Sequence, residues 1–446
     1  VVRLVVLVAI ALNPMVILYG GNGMSEALYL LTMTMTTRYL LRWLRRGDLI
    51  SLVYAAAALG LGYLARNEAV LSAFFGGLTV LAITFLGTAG VLRQRLAAAL
   101  TDFVIFLAPV VTSFAAWAVA SYVITKQWFA QFSSMYGTTS QLKIAPNSVT
   151  THSGRLIEEV KGIEALAPLL VVMLVIAVVL AWRRRDLAVL APITVLGGGL
   201  AFDFSEYFLN NLAWSLRYYI LSIPLGILLT GALFADLPPV RASWTTPSYR
   251  LRRVAAGDRP PPRVHRWAIG LAGAVVAFLL VLPTLPTTVE AMGNSQLGSL
   301  ELQGLGFIFH SPPDAADRGY ADHWQHVKDM DDYLESLHLG NGQVLMDNFP
   351  GCAPDLIIES DDPRMFVIPN DRDFQRTLAA PITFNAHYMM LPAPTGLNGL
   401  DAISDEYPRM YENGAGIATL VHTFLAGGAC SAWRLYHVYK TASTTS

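Results

Sequence analysis

Arg66 and Glu68 lie between two long apolar stretches, with only Asn67 between them. A charged pair at a membrane face is costly unless it has a partner or a function. A carboxylate in a partly dry cavity can act as a base, and an arginine can hold a phosphate through paired hydrogen bonds. These residue types therefore predict a site for acid–base or anion chemistry where the apolar stretches end.

Four more ionisable residues recur near apolar stretches that end on the same predicted side: Glu26, Asp203, Glu206 and Arg217. Asp203 and Glu206 are three residues apart and share one face of a helix. Arg217 opens the next apolar stretch, and an antiparallel hairpin would bring it within reach of both carboxylates. We therefore expect these residues to gather in one outward-facing cavity.

Each member of this group also has a purely structural interpretation, which the sequence leaves open. Arg217 with either nearby carboxylate can be a plain interhelical salt bridge. Arg66 and Glu68 can anchor the chain at the interface, and Glu26 can stabilise the dipole of the helix that it begins.

The composition is that of an integral membrane protein. The 446 residues are 54% hydrophobic and 14% charged, whereas ordinary soluble domains are about 25% charged. The net charge of −1 hides two regions: from Glu290 onward the net charge is −12, and before it +11. The basic part is predicted to lie in the membrane and the acidic part in water.

A membrane span needs about 20 apolar residues. Nine candidates meet this requirement: 3–20, 24–42, 49–65, 69–91, 100–124, 165–182, 187–205, 212–235 and 267–288. Lysine and arginine concentrate in cytoplasmic loops. With the N-terminus inside, four arginine-rich loops fall in the cytoplasm: 42–46, 93–95, 183–185 and 241–266. The prediction is a multi-pass plasma-membrane protein with an extracytoplasmic C-terminal domain.

The predicted organisation has four parts. Residues 1–236 form a transmembrane helix bundle, in which 125–164 is an outer amphipathic loop that contacts membrane lipids. Residues 237–266 form a basic, proline-rich cytoplasmic linker, explained by contact with anionic lipid rather than nucleic acid. Residues 267–288 are the last span. Residues 289–446 form a soluble, mixed α/β domain.

Within that last domain the pattern predicts a helix over 320–339 and a second over Ala415–Leu425. Short strands are predicted at Gln343–Met346, Leu356–Ile358, Met365–Ile368, Tyr388–Leu391 and Trp433–Val438.

The two cysteines, Cys352 and Cys430, both lie in the acidic region. They either form a disulfide, if this region is extracytoplasmic, or remain two small core residues. The pair His323 and His326 beside Asp322 could bind a metal, but on an exposed helix it is interpreted as solvated surface. No cofactor is predicted; a divalent metal would be compatible with the charges, but no ligand spacing indicates one.

Several short motifs resemble a known family. Asn13-Pro14 followed by Gly23–Tyr29, then Ala65–Ala69 and Arg217–Tyr219, resembles the membrane core of GT-C superfamily glycosyltransferases, especially actinobacterial members. The C-terminal domain is similar to theirs at three segments: Asp371–Phe374, Tyr407–Tyr411 and Trp433–Tyr436.

The resemblance implies an enzyme that moves a sugar from a polyprenyl-phosphate donor to a glycan or lipid acceptor on the outer face. It implies that Arg66, Glu68 and Arg217, with Tyr218, line the substrate pocket. The family's acidic first outer loop is not found, so the chain is expected to lack N-terminal spans. The catalytic base is left unassigned, with Asp203, Glu206 and Glu26 as candidates.

Two other functions remain open. A noncatalytic relative would bind an envelope partner through its outer domain, and the missing acidic loop favours this alternative. A transporter would also place charges in a membrane cavity, but transporters usually have midplane charges and internal repeats, which this sequence lacks.

Overall fold

The computed structural model of the chain describes residues 7–8, 10–126, 128, 138–144, 146–184, 187–234, 278, 282–294, 297–298, 301, 305, 315–349, 351–427 and 430–440. The chain divides into two compact units. The first comprises Val1–Trp117, Val149–Asn210 and Trp214–His310, and the second comprises Ala118–Ser148, Asn211–Ala213 and Ser311–Ser446.

The described part of the first unit is helical. Its helices are α1 (Pro14–Gly21), α2 (Glu26–Arg46), α3 (Leu49–Ala65), α4 (Ala69–Gly87), α5 (Leu92–Thr125, which runs into the second unit), α7 (His152–Leu166), α8 (Leu170–Arg184), α9 (Leu190–Phe208), α10 (Ser222–Phe234) and α11 (Thr284–Gly293). Asn13 begins α1, because its side chain accepts hydrogen bonds from Met15 N and Val16 N.

Three of these helices are long and apolar enough to cross a membrane: Ala69–Gly87, Leu92–Ile124 and Leu187–Phe208. A fourth span is formed if α7 and α8, which meet at an 80° bend, count as one. The membrane character predicted from composition agrees with these helices. The count of nine spans and the sidedness of the chain stay predictions.

Several predicted spans differ from the helices observed. The 24–42 span corresponds to α2, which has five charged residues and is too polar to qualify. The 49–65 span corresponds to α3, a shorter apolar helix. The 212–235 span begins with a 3₁₀ turn over Leu216–Tyr219, and α10 starts only at Ser222. The 237–266 linker and most of 267–288 lie outside the described residues.

Glycines set how closely α9 approaches its neighbours, because α9 packs against α4 and α2. A Cβ at Gly198 would lie 2.7 Å from Ser72 Cα, and one at Gly199 would lie 2.7 Å from the Tyr29 hydroxyl. A Cβ at Gly197 would have nothing within 4 Å. Two of the three consecutive glycines are therefore required for helix packing. They do not interrupt α9, which continues through them as one long helix.

The second unit contains a mixed five-stranded sheet. Its strands are β1 (Val344–Met346), β2 (Phe366–Val367), β3 (Tyr388–Pro392), β4 (Ala418–Phe424) and β5 (Trp433–Val438), in the order β2-β1-β3-β5-β4. β1 pairs in parallel with β2 and β3, whereas β5 is antiparallel to β3 and β4.

The second unit also contains one long helix, α12 (Ala315–Ser336), and five short ones: α6 (Thr138–Ile144), α13 (Ala353–Glu359), α14 (Phe374–Ala379), α15 (Ala402–Glu406) and α16 (Met410–Asn413). Two apolar clusters fill the unit: one joins α12 and α13 to the sheet around Trp433, and the other surrounds Phe374 and Tyr436.

Two predicted elements of this unit are wrong. The predicted strand Leu356–Ile358 lies in α13, because Pro354 at its start and Asp355 in its first turn favour a helix. The predicted helix Ala415–Leu425 contains β4 instead. In that stretch the β-branched residues Ile417, Thr419, Val421 and Thr423 alternate along the chain, which is the period of a strand.

Replacement of Gly198 by alanine tests the close packing of α9. The new methyl would overlap the backbone of Ser72, so we expect the detergent-solubilised protein to lose about 1–3 kcal/mol of stability. The matched control is Gly197→Ala, where alanine meets open space and improves helix propensity. Equal melting temperatures for the two variants would contradict this account of the packing.

Asp401 makes the second unit sensitive to pH. Burial in the protein interior raises the pKa of this carboxyl to about 7; the nearby Asp347 contributes to the rise, and the hydrogen bond from Ser404 opposes it. Because the folded-state pKa lies above the unfolded value, stability is highest in mild acid and falls as the pH rises from about 4 through 7.

Asp401→Asn should remove most of this dependence, because asparagine still caps α15 but cannot ionise. We expect the variant to melt above the wild type at pH 8 and close to it at pH 5, in thermal unfolding of the full chain. The raised pKa of Asp401 would be refuted by the opposite result: a wild-type protein that gains stability from pH 5 to pH 8, and an Asp401→Asn variant that lacks this gain.

Candidate functional site

The predicted site residues occupy helix ends in the first unit. Glu26 is the first residue of α2, Arg66 follows the last residue of α3, and Glu68 immediately precedes α4. Asp203 lies five residues before the end of α9, and Arg217 lies in the 3₁₀ turn before α10. Helix ends bring together side chains that are far apart in sequence.

Arg66 is held between two carboxylates. Its Nη1 donates to Glu26 Oε1 at 2.5 Å, its Nε donates to Glu68 Oε1 at 2.8 Å, and its Nη2 also contacts Glu68. All three side chains are largely buried: 12% of Arg66, 1% of Glu26 and 9% of Glu68 is exposed. Arg66 therefore joins the start of α2 to the turn between α3 and α4.

Arg217 completes the cluster from another element. Its Nε lies 3.8 Å from Glu26 Oε1, and its Nη2 donates to the Tyr218 hydroxyl at 3.4 Å. The Tyr218 ring lies 5.3 Å from the Arg66 guanidinium and 5.2 Å from that of Arg217, a cation–π distance for both. One glutamate and one tyrosine ring thus hold two arginines side by side.

The hairpin contact predicted for Arg217 forms with a different carboxylate. Among the described residues, Arg217 makes its ion pair with Glu26 and with neither Asp203 nor Glu206. Asp203 is 2% exposed and interacts with Glu68 and Arg66. Glu206, which is half-buried, contributes to the negative charge around Asp203.

The structure adds two residues that sequence reasoning missed. Tyr19 on α1 donates to Glu301 Oε1 at 2.7 Å, and both residues are almost fully buried. Tyr19 also lies within electrostatic range of Glu26 and Arg217. Glu301 had been assigned by composition to the soluble region, but it belongs to the same compact unit as the cluster. The residue that Tyr19 contacts, Glu301, is 282 positions further along the chain, so the sequence pattern around Tyr19 did not indicate this contact.

Some of the hydrogen-bonding capacity in this cluster is unused. Glu26 Oε2, the Tyr29 hydroxyl and Arg217 Nε are buried and have no hydrogen-bond partner among the residues that the structure describes. Unpaired polar atoms in a buried position are unfavourable unless a ligand or water completes them. Arg217 is the more accessible of the two cations, with 23% of its side chain exposed. A ligand would therefore meet Arg217 and the free oxygen of Glu26.

The two cysteines lie together in the second unit, where Cys352 and Cys430 form a disulfide with a Cα–Cα distance of 5.5 Å. His323 is not exposed surface as the sequence suggested: it is mostly buried and donates or accepts at both ring nitrogens.

Neither a protein-family model, nor a curated protein, nor a solved structure matches this chain. The fold of the described residues defines the class of protein: it is mainly helical, with three helices that could cross a membrane and a small C-terminal sheet.

Arg66→Ala tests whether this cluster supports the fold. Removing the guanidinium leaves buried Glu68 without its ion pair and Glu26 with only its longer contact to Arg217, and breaking a buried ion pair typically costs about 3–5 kcal/mol. The combination of Arg66→Met with Glu26→Gln and Glu68→Gln removes charge from all three positions, and we expect it to melt well above Arg66→Ala in detergent.

Arg42→Ala is the control, because its ion pair with Asp48 is at the surface and 3.7 Å long. If Arg66→Ala and Arg42→Ala had the same melting temperature, the buried bridge would have no structural importance.

Proposed function

We propose that this protein is an integral membrane glycosyltransferase of the GT-C type. It moves a sugar from a polyprenyl-phosphate donor to a cell-envelope acceptor on the outer face of the membrane. The observation that carries the proposal is the buried cluster of Glu26, Arg66, Glu68 and Arg217 at the ends of apolar helices.

The two arginines have different roles in this proposal. Both sides of the Arg66 guanidinium are already bound to carboxylates, so Arg66 orients Glu26 and Glu68. Arg217 Nε is too far from Glu26 for a hydrogen bond, and part of the Arg217 side chain is exposed, so Arg217 can donate to a phosphate oxygen. A phosphate that leaves with its polyprenyl tail gains negative charge as the glycosidic bond breaks, and Arg217 would stabilise that charge.

Glu26 is the strongest candidate for the base among the three carboxylates considered. One oxygen is fixed by Arg66, and the other, Oε2, has no partner. In the proposed reaction, Glu26 Oε2 takes the proton of the acceptor hydroxyl, and the hydroxyl oxygen of the acceptor bonds to the anomeric carbon of the sugar. The bond from the anomeric carbon to the phosphate oxygen breaks, and polyprenyl phosphate leaves.

The cluster contains more carboxyl groups than guanidiniums. Glu26, Glu68 and Asp203, with Glu206 near Asp203, surround Arg66 and Arg217. It therefore offers groups that can accept a proton beside groups that can bind an anion.

Two substitutions test these roles in membranes that contain the protein, supplied with labelled pentosyl and hexosyl polyprenyl phosphates. We expect Glu26→Gln to lower kcat at least about 100-fold, in the range of general base catalysis, with little change in KM for the donor. Arg217→Ala should weaken both donor binding and turnover.

Arg42→Ala should transfer sugar at the wild-type rate, because Arg42 lies at the other end of α2. Unchanged transfer by both Glu26→Gln and Arg217→Ala would remove the proposed site. Failure of the wild type to bind polyprenyl phosphate or transfer either sugar would favour the alternative of a noncatalytic assembly protein.

A further inference from the structure

A second group of reactive side chains lies in the C-terminal unit. His323 is on α12, Cys352 immediately precedes α13, and Cys430 lies just before β5. The His323 Nδ1 atom is 3.3 Å from Cys430 Sγ and 3.8 Å from Cys352 Sγ. Imidazole and thiolate are the two ligand types that zinc prefers in proteins.

The orientation of His323 is fixed from its other side. Its Nε2 lies 3.0 Å from Asp355 Oδ2, on the first turn of α13. In the neutral ring, Nε2 carries the proton donated to Asp355, and Nδ1 directs its lone pair at the two sulfurs. A disulfide has no proton to donate, so the Nδ1 lone pair faces two sulfur atoms that cannot form a hydrogen bond with it.

A histidine that binds a metal usually donates its other N–H to a carboxylate, which fixes the tautomer and makes the ring a better ligand. The pair of Asp355 and His323 has this arrangement. His326, one turn further along α12, does not take part, because its ring packs against Gly427.

The distances fit a tetrahedral zinc ion. Bonds of about 2.3 Å to sulfur and about 2.05 Å to nitrogen, at a tetrahedral angle, hold sulfur and nitrogen ligands about 3.5 Å apart. The two observed separations, 3.3 and 3.8 Å, lie on either side of that value. The nitrogen is therefore already in place, and only the two sulfurs must separate, to about 3.8 Å by the same geometry.

We propose that His323, Cys352 and Cys430 form a zinc site when their disulfide is reduced, with Asp355 as the positioning residue for His323. A small dithiol supplies two electrons and two protons, forms its own cyclic disulfide and leaves two protein thiols. Zn²⁺ then binds both sulfurs as thiolates and releases their two protons. Neutral His323 is the third protein ligand, and water fills the fourth position.

The two states are alternative crosslinks of the same two cysteines. The disulfide closes a loop between residues 78 apart in sequence, a constraint that raises stability by limiting the unfolded chain. Zinc would restore that constraint after reduction, because it joins the same two cysteines and adds α12 through His323. Oxidising surroundings favour the disulfide, and reducing surroundings favour the metal.

The test uses the full chain in detergent. The disulfide is reduced with dithiothreitol, the reductant is removed without oxygen, and Zn²⁺ is titrated against a chromophoric chelator. We expect one zinc per reduced chain, none per oxidised chain, and melting of the reduced protein at a higher temperature with zinc. Cobalt in place of zinc should give the thiolate-to-metal absorption of a tetrahedral site.

Matched variants separate the ligands from their surroundings. His323→Ala should weaken zinc binding and alter the cobalt spectrum, and Asp355→Asn should weaken it about 10–100-fold, as expected for loss of a carboxylate behind a histidine ligand. His437→Ala is the control, since this histidine is exposed on β5 and should bind zinc as the wild type does.

Four results would overturn the proposal. These are a disulfide that dithiothreitol does not reduce in the folded protein, equal zinc binding by oxidised and reduced chains, unchanged affinity in His323→Ala, and unfolding on reduction that zinc does not prevent. Loss of sugar transfer alone has no bearing on it, because every readout is metal binding or stability.

Discussion

The arrangement of the first unit depends on the buried guanidinium of Arg66, which bridges Glu26 and Glu68. Removing charges from water is expensive, and geometry as close as this is needed to offset the cost. The bridge connects α2 with the α3–α4 turn, and through Glu26 it also fixes Arg217. Charges that would be unfavourable singly thus become a single connected network.

Close helix packing makes this network possible. Gly198 and Gly199 let α9 lie directly against α4 and α2, which brings Asp203 towards Glu68 and Arg66. Small residues at helix contacts are a common means of close approach in membrane proteins, where apolar burial drives association only weakly. Gly198 and Gly199 therefore help to position Asp203, one of the predicted site residues.

The second unit is stabilised differently, by two apolar clusters and a disulfide. Its strands β1, β3 and β5 lie at or within two residues of where the sequence places them, because their residues are β-branched, aromatic or large and apolar. The two stretches that were predicted wrongly are short apolar runs, in which periodicity does not distinguish a helix from a strand. In such runs a neighbouring proline favours a helix start, and alternating β-branched residues favour a strand. Pro354 and the Ile417–Thr423 alternation carried that information.

By itself the sequence determined the membrane character, the acidic C-terminal region and the set of ionisable residues around Arg66, because composition and apolar length are local properties of the chain. Which carboxylate pairs with which arginine was decided only by the tertiary structure. Arg217 lies nearest in sequence to Asp203 and Glu206 but meets Glu26, and Tyr19 with Glu301 joins from distant segments. Contacts between helix ends depend on how whole helices pack, which no short window of residues contains.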